Sequence, residues 1–212
     1  MSLKWDSELD ELRIRRRTEI LDEARELFLE KGLPRVTMRD ISKEVGVSTV
    51  TLYKYYKSVD EIAAEVKRQI LIEMKQFFNE ISTDSTAYEK IINWLKQWET
   101  YLKEKDDHVR FQAEFDLYYQ SQKLEIEQGY YLELFKINGN SIPLVFEQGQ
   151  NEGSIRTDFT ANELTAWTFI NILGIVHQLA ARGPLLENDS QLSTEKMMEM
   201  TIDSIASFIK RS

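Results

Sequence analysis

Residues 37–62 read TMRDISKEVGVSTVTLYKYYKSVDEI, and the reading of this stretch decides the fold. Helix-start signals recur in it. Thr37 is followed three residues on by Asp40, and Ser58 by Glu61, each a hydroxyl and a carboxylate placed to answer the free donors of a helix N-terminus. Ser48 or Thr49 caps a short helix between them. Gly46 stands where the chain must turn sharply, and a residue without a Cβ takes positive φ at no steric cost. Val47 then tucks into the angle between two helices. The spacing predicts a helix, a tight turn, a second short helix and the start of a third. That is the pattern of a helix-turn-helix, whose second helix is shaped to enter a DNA major groove.

The expected second helix, residues 48–57, suits that task. It carries Ser48, Thr49, Thr51, Lys54, Lys57 and the tyrosines Tyr53, Tyr55 and Tyr56, and it has no acid. Small hydroxyls approach base edges and phosphates closely, tyrosine hydroxyls reach phosphates from farther away, and lysines attract any sequence. Leu52 and Tyr56, four apart, face the domain's own core. Thr49, Val50 and Tyr53 fall on the outer side. The candidate DNA-binding residues are Thr37, Ser48, Thr49, Val50, Thr51, Tyr53, Tyr55 and Lys57. The competing reading is a hairpin that merely packs. A surface helix of that kind in so acidic a chain rarely lacks acids over ten residues.

Residues 17–62, RTEILDEARELFLEKGLPRVTMRDISKEVGVSTVTLYKYYKSVDEI, resemble the DNA-binding domain of the TetR family of bacterial transcriptional regulators. The resemblance rests on Ile20-Leu21, Ala24, Leu27-Phe28, Gly32, Thr37-Met38, Ile41, Val45-Gly46-Val47-Ser48, Leu52-Tyr53, Tyr55-Tyr56 and Ile62. The family usually has Phe where Tyr56 stands. It usually has Lys where Val59 stands, at a helix N-terminus facing a phosphate. The resemblance implies an all-α chain with an N-terminal three-helix DNA-binding domain and a larger helical ligand-binding and dimerisation domain. It implies a homodimeric repressor on a palindromic double-stranded operator, released by a small-molecule effector. An all-α enzyme, or a small-molecule-binding protein, carrying a DNA-binding head is the alternative.

Composition agrees. A length of 212 residues fits a small domain, residues 1–60, and a larger one, residues 61–212. Three prolines, eight glycines and periodic apolar runs point to the all-α class. The absence of cysteine excludes disulfides and thiolate metal sites. No uninterrupted apolar stretch reaches bilayer length and no signal-peptide core opens the chain, so a cytoplasmic location is expected. The net charge of −9 is confined, because residues 1–60 hold equal numbers of acids and bases. Arg13, Arg15, Arg16 and Arg17 form a basic cluster there, placed either along a phosphate backbone or as a solvated helix end.

Periodicity predicts the remaining elements. The first helix runs from about Leu12 to Lys31, and a connecting helix from Ser58 to about Ile81. STDST at 82–86 breaks the chain. Ile91, Trp94, Leu95, Trp98, Tyr101 and Leu102 form an aromatic stripe, ended by the charged residues 103–107. A shorter helix runs through Phe111 and Phe115 to Tyr119. Residues 125–152 read as helical with interruptions at Gly139 and Pro143, the latter a kink or a helix start. Thr160 and Glu163 make a further capping box. Residues 167–181, WTFINILGIVHQLAA, carry no acid, lysine or arginine, so this helix is expected to be buried on every side and to stop at Gly183-Pro184. The last helix, about Thr194 to Lys210, has a strong apolar face (Met198, Ile202, Ile205, Ile209) and a softer one (Met197, Thr201, Ser204, Phe208). The second face calls for a partner, and the simplest is another copy of the chain. Ile175, Met197, Thr201, Ser204 and Phe208 are the candidate dimer-interface residues.

No catalytic or metal constellation competes. His108 lies among charges and is expected at a solvated helix end; His177 is either a satisfied interior histidine or a ligand contact. Neither belongs to a di-metal bundle pattern, and no phosphate loop or nucleophile motif is present. No cofactor and no metal are expected, and the chain reads as a non-enzyme. Aromatic residues with polar handles on adjacent helices suit a mostly apolar cavity. The candidate ligand-binding residues are Trp98, Phe115, Tyr119, Tyr131, Trp167 and His177. Glu114 and Asp116 nearby favour a cationic or neutral ligand.

Overall fold

The computed structural model describes residues 2–78, 85–121, 136–137 and 140–211, with side chains over 11–78, 85–119 and 141–211. Nine α-helices are described. They are α1 (Ser2–Lys31), α2 (Met38–Glu44), α3 (Thr49–Leu52), α4 (Val59–Phe77), α5 (Ala87–Glu104), α6 (Asp106–Ser121), α7 (Ile142–Glu152), α8 (Ala161–Ser190) and α9 (Thr194–Ile209). A 3-10 turn, Leu33–Arg35, follows α1. The described residues group into two compact units, 2–70 with 114–121, and 71–78 with 85–113, 136–137 and 140–211. Each of α4 and α6 therefore contributes to both.

The first unit is built as its capping signals dictate. Thr37 and Asp40 close a reciprocal capping box on α2. Ser48 caps α3 by accepting from the Thr51 N–H. Ser58 accepts from the Glu61 N–H, while the Glu61 carboxylate reaches one residue farther back, to the Lys57 N–H at 2.6 Å. Gly46 has φ 72°, so the turn does use the left-handed region. Ile20, Ala24, Leu27, Phe28, Ile41, Leu52, Tyr56, Ile62 and Val66 fill the core. Two boundaries differ from expectation. α1 is a helix from Ser2, nearly three turns earlier than the periodicity indicates, because apolar spacing reports only the part of a helix that meets a core. α3 is a single turn rather than 48–57. After Leu52 the chain tightens into i→i+3 bonds from Lys54 to Thr51 and from Tyr55 to Leu52. Arg17 then takes the Tyr55 carbonyl at 2.6 Å and ends the run.

In the second unit α5, α7, α8 and α9 pack on one another. Phe78, Trp94, Trp98 and Tyr101 make an aromatic cluster, with the Phe78 and Trp98 ring centroids 4.6 Å apart. Met198, Ile202, Ile205 and Ile209 are all buried, as the strong face of the last helix requires. Pro143 lies in the first turn of α7, where a missing N–H costs nothing. Of the stretch expected to be helical, residues 136–137 and 140–141 instead form a two-residue antiparallel ladder. Gly149 is a close approach: a Cβ there would stand 2.3 Å from the Ile155 Cδ1.

α8 corrects two expectations. It does not stop at Gly183-Pro184 but runs seven residues farther, to Ser190, with Gln191 at φ 59° as its cap. The last turns are held from outside: the Glu187 carboxylate accepts from both the N–H and the hydroxyl of Thr194 at 2.6 Å, which ties α8 to the start of α9. Nor is α8 buried on every side. Leu164, Phe169, Ile172, Val176 and Leu179 are buried, whereas Ile170 is 73% exposed. By length and composition an 18-residue window of α8 is apolar enough to cross a membrane; here one face of the helix lies in the core.

Candidate functional site

The first unit presents an outward surface on α3. Leu52 and Tyr56 anchor it from beneath, while Val50 (72% exposed) and Tyr53 (54%) stand outward. Lys54 and Lys57 are exposed beside them. Val50, Tyr53 and Lys57 are thus all exposed. The small hydroxyls carry local duties as well. Ser48 and Thr51 Oγ atoms lie 2.8 Å apart, and Thr49 Oγ1 is 3.1 Å from Ser42 Oγ, which fixes α3 against α2. The Thr37 hydroxyl donates to Asp40 at 2.5 Å. Those bonds hold the Asp40 carboxyl below the usual range. A hydroxyl so engaged keeps a lone pair for an incoming donor. Tyr55 is half-buried and its carbonyl is taken by Arg17. The Arg17 guanidinium also lies over the Tyr56 ring, 4.2 Å from its centroid. Where the family usually has Phe, the Tyr56 hydroxyl donates to the Arg17 carbonyl at 3.3 Å. Arg17 is therefore a fixing residue of the unit, unlike Arg13, Arg15 and Arg16, which are exposed.

The last turns of α6 belong to this same unit, and composition gave no hint of their contacts. The Glu114 carboxylate accepts from the Leu33 N–H at 2.8 Å, against Gly32 at φ 82°. Asp116 pairs with Lys67, whose side chain is almost wholly buried and whose ammonium also sits 4.3 Å from the Phe115 ring. Burial pulls the Lys67 pKa down, and the Asp116 carboxylate opposes it. The Tyr118 hydroxyl donates to the Asp60 carboxylate at 2.7 Å and the Tyr119 hydroxyl to the Asp60 carbonyl at 2.9 Å. Phe115 and Tyr119 stack at 4.0 Å.

The residues expected around a ligand are divided between the two units. Phe115 and Tyr119 fall in the first unit, as do Glu114 and Asp116. Trp98 is enclosed in the aromatic cluster of the second unit. Trp167 stacks on Phe208 at 4.1 Å, on the softer side of α9. His177 is half-buried on α8, and Tyr131 lies outside the described residues. His108 corrects its expectation: it is 3% exposed, with Nδ1 3.1 Å from the Tyr101 hydroxyl. A cleft of about 370 Å³ opens instead where α5, α6, α8 and α9 meet within the second unit. Leu102, Leu179, Pro184 and Met198 give it apolar walls, and Glu99, Lys103, Asp106, Arg110 and Glu195 stand around it. Among the described residues no three His, Asp or Glu side chains gather as a metal set.

The candidate interface residues lie on two helices of the second unit, Ile175 on α8 and Met197, Thr201, Ser204 and Phe208 on α9. Ile175, Met197, Thr201 and Phe208 are half-buried and Ser204 is exposed. Ile170 and Met200 add exposed apolar area on the same two helices. Arg156 organises the end of this surface. It chelates Asp158 at 2.6 Å, donates to the Phe208 carbonyl and lies over the Phe159 and Phe208 rings.

Residues 20–66 match the family model for bacterial regulatory proteins, tetR family. The HTH-type transcriptional repressor KstR2 of Rhodococcus jostii is 38% identical over 66 residues, which are 31% of this chain and 32% of that protein. An uncharacterised HTH-type transcriptional regulator of Bacillus subtilis, YvaF, is 40% identical over 62 residues, 29% of this chain and 32% of its own. The chain thus matches about a third of the length of these relatives. Likeness of fold extends farther. A bacterial regulatory protein in the tetR family from Rhodococcus RHA1 superposes with a TM-score of 0.64 at 12% identity, over 93% of this chain and 98% of that one. KstR2 of Mycobacterium tuberculosis, a ketosteroid transcriptional regulator, gives 0.58 at 18% identity over 93% and 96%. The first unit thus carries the DNA-binding motif of the TetR family of bacterial regulatory proteins, in a chain whose fold is that of solved members of that family.

Proposed function

We propose that the chain is a transcriptional repressor that binds a palindromic operator as a homodimer and is released by a small molecule. The observation that carries the DNA reading is the α3 surface: a helix capped by Ser48, rigidly seated on Leu52 and Tyr56, offering Val50 and Tyr53 outward with lysines beside them and no acid. Val50 suits apolar contact with a thymine methyl group, and Tyr53 a base edge or phosphate. The named repressors among the relatives support the direction of the effect. Two such surfaces have to stand roughly 34 Å apart to enter successive major grooves, which calls for two copies of the chain. The exposed apolar side of α8 and α9 supports that pairing. A DNA partner supports a cytoplasmic location.

The effector binds the second unit, and the cleft beside Leu179 and Met198 is the proposed site. Its volume falls in the range of small-molecule pockets. Glu114, Asp116, Tyr118 and Tyr119 give α6 a grip on the DNA-binding head, so a ligand that moved α6 would shift the head by its differential affinity for the two states. Recovery of the effector unchanged after it has released DNA separates this reading from an enzyme.

Two substitutions test the interface. Tyr53→Ala is expected to change preference at one operator position by about 1–3 kcal/mol. Lys57→Ala is expected to weaken all duplexes alike and to lower the slope of log affinity against log salt by about one per protomer. The measurement is fluorescence anisotropy with matched and mismatched duplexes at several salt concentrations. Equal losses on all sequences for Tyr53→Ala would remove its reading role.

A further inference from the structure

We infer that α1 carries a second DNA contact, a stripe formed by Arg13 and Arg16 that lies against the phosphate backbone beside the recognition helix. The inference rests on the reading of the first unit as a DNA-binding head. The stripe follows from the spacing of α1. Ile20, Ala24 and Leu27 bury one face of this helix in the core. Arg17, Arg16 and Arg13 stand three, four and seven residues ahead of Ile20. Positions so spaced share one side of a helix. The face that is apolar from Ile20 onward therefore turns basic ahead of it, and α1 is helical through all of these positions.

Arg17 fixes where the stripe points. Its guanidinium donates to the Tyr55 carbonyl and covers the Tyr56 ring, two residues that follow α3 almost directly. The basic face of α1 thus begins at the end of the recognition helix. At a rise of about 1.5 Å per residue, Arg16 and Arg13 lie within about 6 Å farther along the axis. Both are exposed. Arg16 holds Glu19 at 2.8 Å, a surface pair that a phosphate can displace at little cost. A guanidinium matches two phosphate oxygens at once, and phosphates flank any major groove that α3 enters. Arg15 supplies an internal control. It precedes Ala24 by nine residues, two and a half turns, and so points to the opposite side.

The test compares R13Q/R16Q, R15Q and the parent protein on the operator duplex carrying ten base pairs of flank at each end, and on the same operator without flanks. Gln keeps helix propensity, and circular dichroism melting confirms that the head is folded. The double variant is expected to lower the slope of log affinity against log salt by nearly two per protomer on the flanked duplex, and to leave the base preference governed by Tyr53 unchanged. R15Q is expected to match the parent. On the duplex without flanks the double variant and the parent converge. An unchanged slope for R13Q/R16Q, or an equal loss for R15Q, would overturn the stripe while the α3 interface stood. Failure of the parent to bind any duplex would overturn both.

Discussion

Asp116→Ala is expected to destabilise the first unit by about 3 kcal/mol at pH 7, because it removes the carboxylate that offsets the burial of Lys67. The sign of the pH dependence follows from the direction of the Lys67 shift. Burial lowers its pKa in the folded chain, and Asp116 holds it up. Below the folded value both states carry the proton, and the fold bears the full cost of enclosing it. As pH rises through the folded value, Lys67 loses its proton in the folded chain before the unfolded chain does, and that cost disappears. Without Asp116 the folded value falls farther, so the variant recovers at lower pH. Urea melts at pH 7 and pH 9 are expected to show the gap to the parent narrowing. Replacing both partners, Lys67→Met with Asp116→Ala, restores most of the loss at pH 7. A loss below about 0.5 kcal/mol at pH 7, a value typical of exposed pairs, would contradict the buried pair.

Trp98→Ala carries the second large effect. Trp98 packs against Phe78, Trp94 and Tyr101 and is almost wholly buried. Truncating such a residue costs about 3–5 kcal/mol in lost contacts and residual cavity. That is a large fraction of a domain's total stability. Trp98→Phe refills much of the volume and is expected to recover about half of the loss. The readout is urea unfolding followed by circular dichroism. If Trp98→Ala melted within about 1 kcal/mol of the parent, the indole would be the wall of an open pocket rather than part of a packed core.

The head was legible because its signals are local. Thr37 with Asp40, Ser48 and Gly46 each commit the backbone within four residues, and each does so in the structure. Leu52 is buried as its spacing indicates, and Tyr56 is buried although it lies past the end of α3. The alternation of faces on the last helix was legible for the same reason. What escaped depends on contacts distant in sequence. Pro184 reads as a stop until Glu187 is seen holding Thr194 across the α8–α9 corner. α3 reads as ten residues until Arg17, 38 positions earlier, takes the Tyr55 carbonyl. Glu114, Asp116, Tyr118 and Tyr119 carry the composition of a pocket wall, and only the fold assigns them to Leu33, Lys67 and Asp60. His108 sits in a charged run yet turns inward to Tyr101. Side-chain type does not say which way a residue near a helix end will face.

Selection of binding sites from a random pool of double-stranded DNA by the full-length protein, with the mass of the recovered complex measured by light scattering, tests the central claim most directly. The account predicts that the recovered sequences share two inverted half-sites about one helical turn apart, that each bound unit carries two protomers, and that Tyr53→Ala shifts the recovered sequence. Recovery of no common sequence, or of single half-sites bound by a monomer, would contradict it.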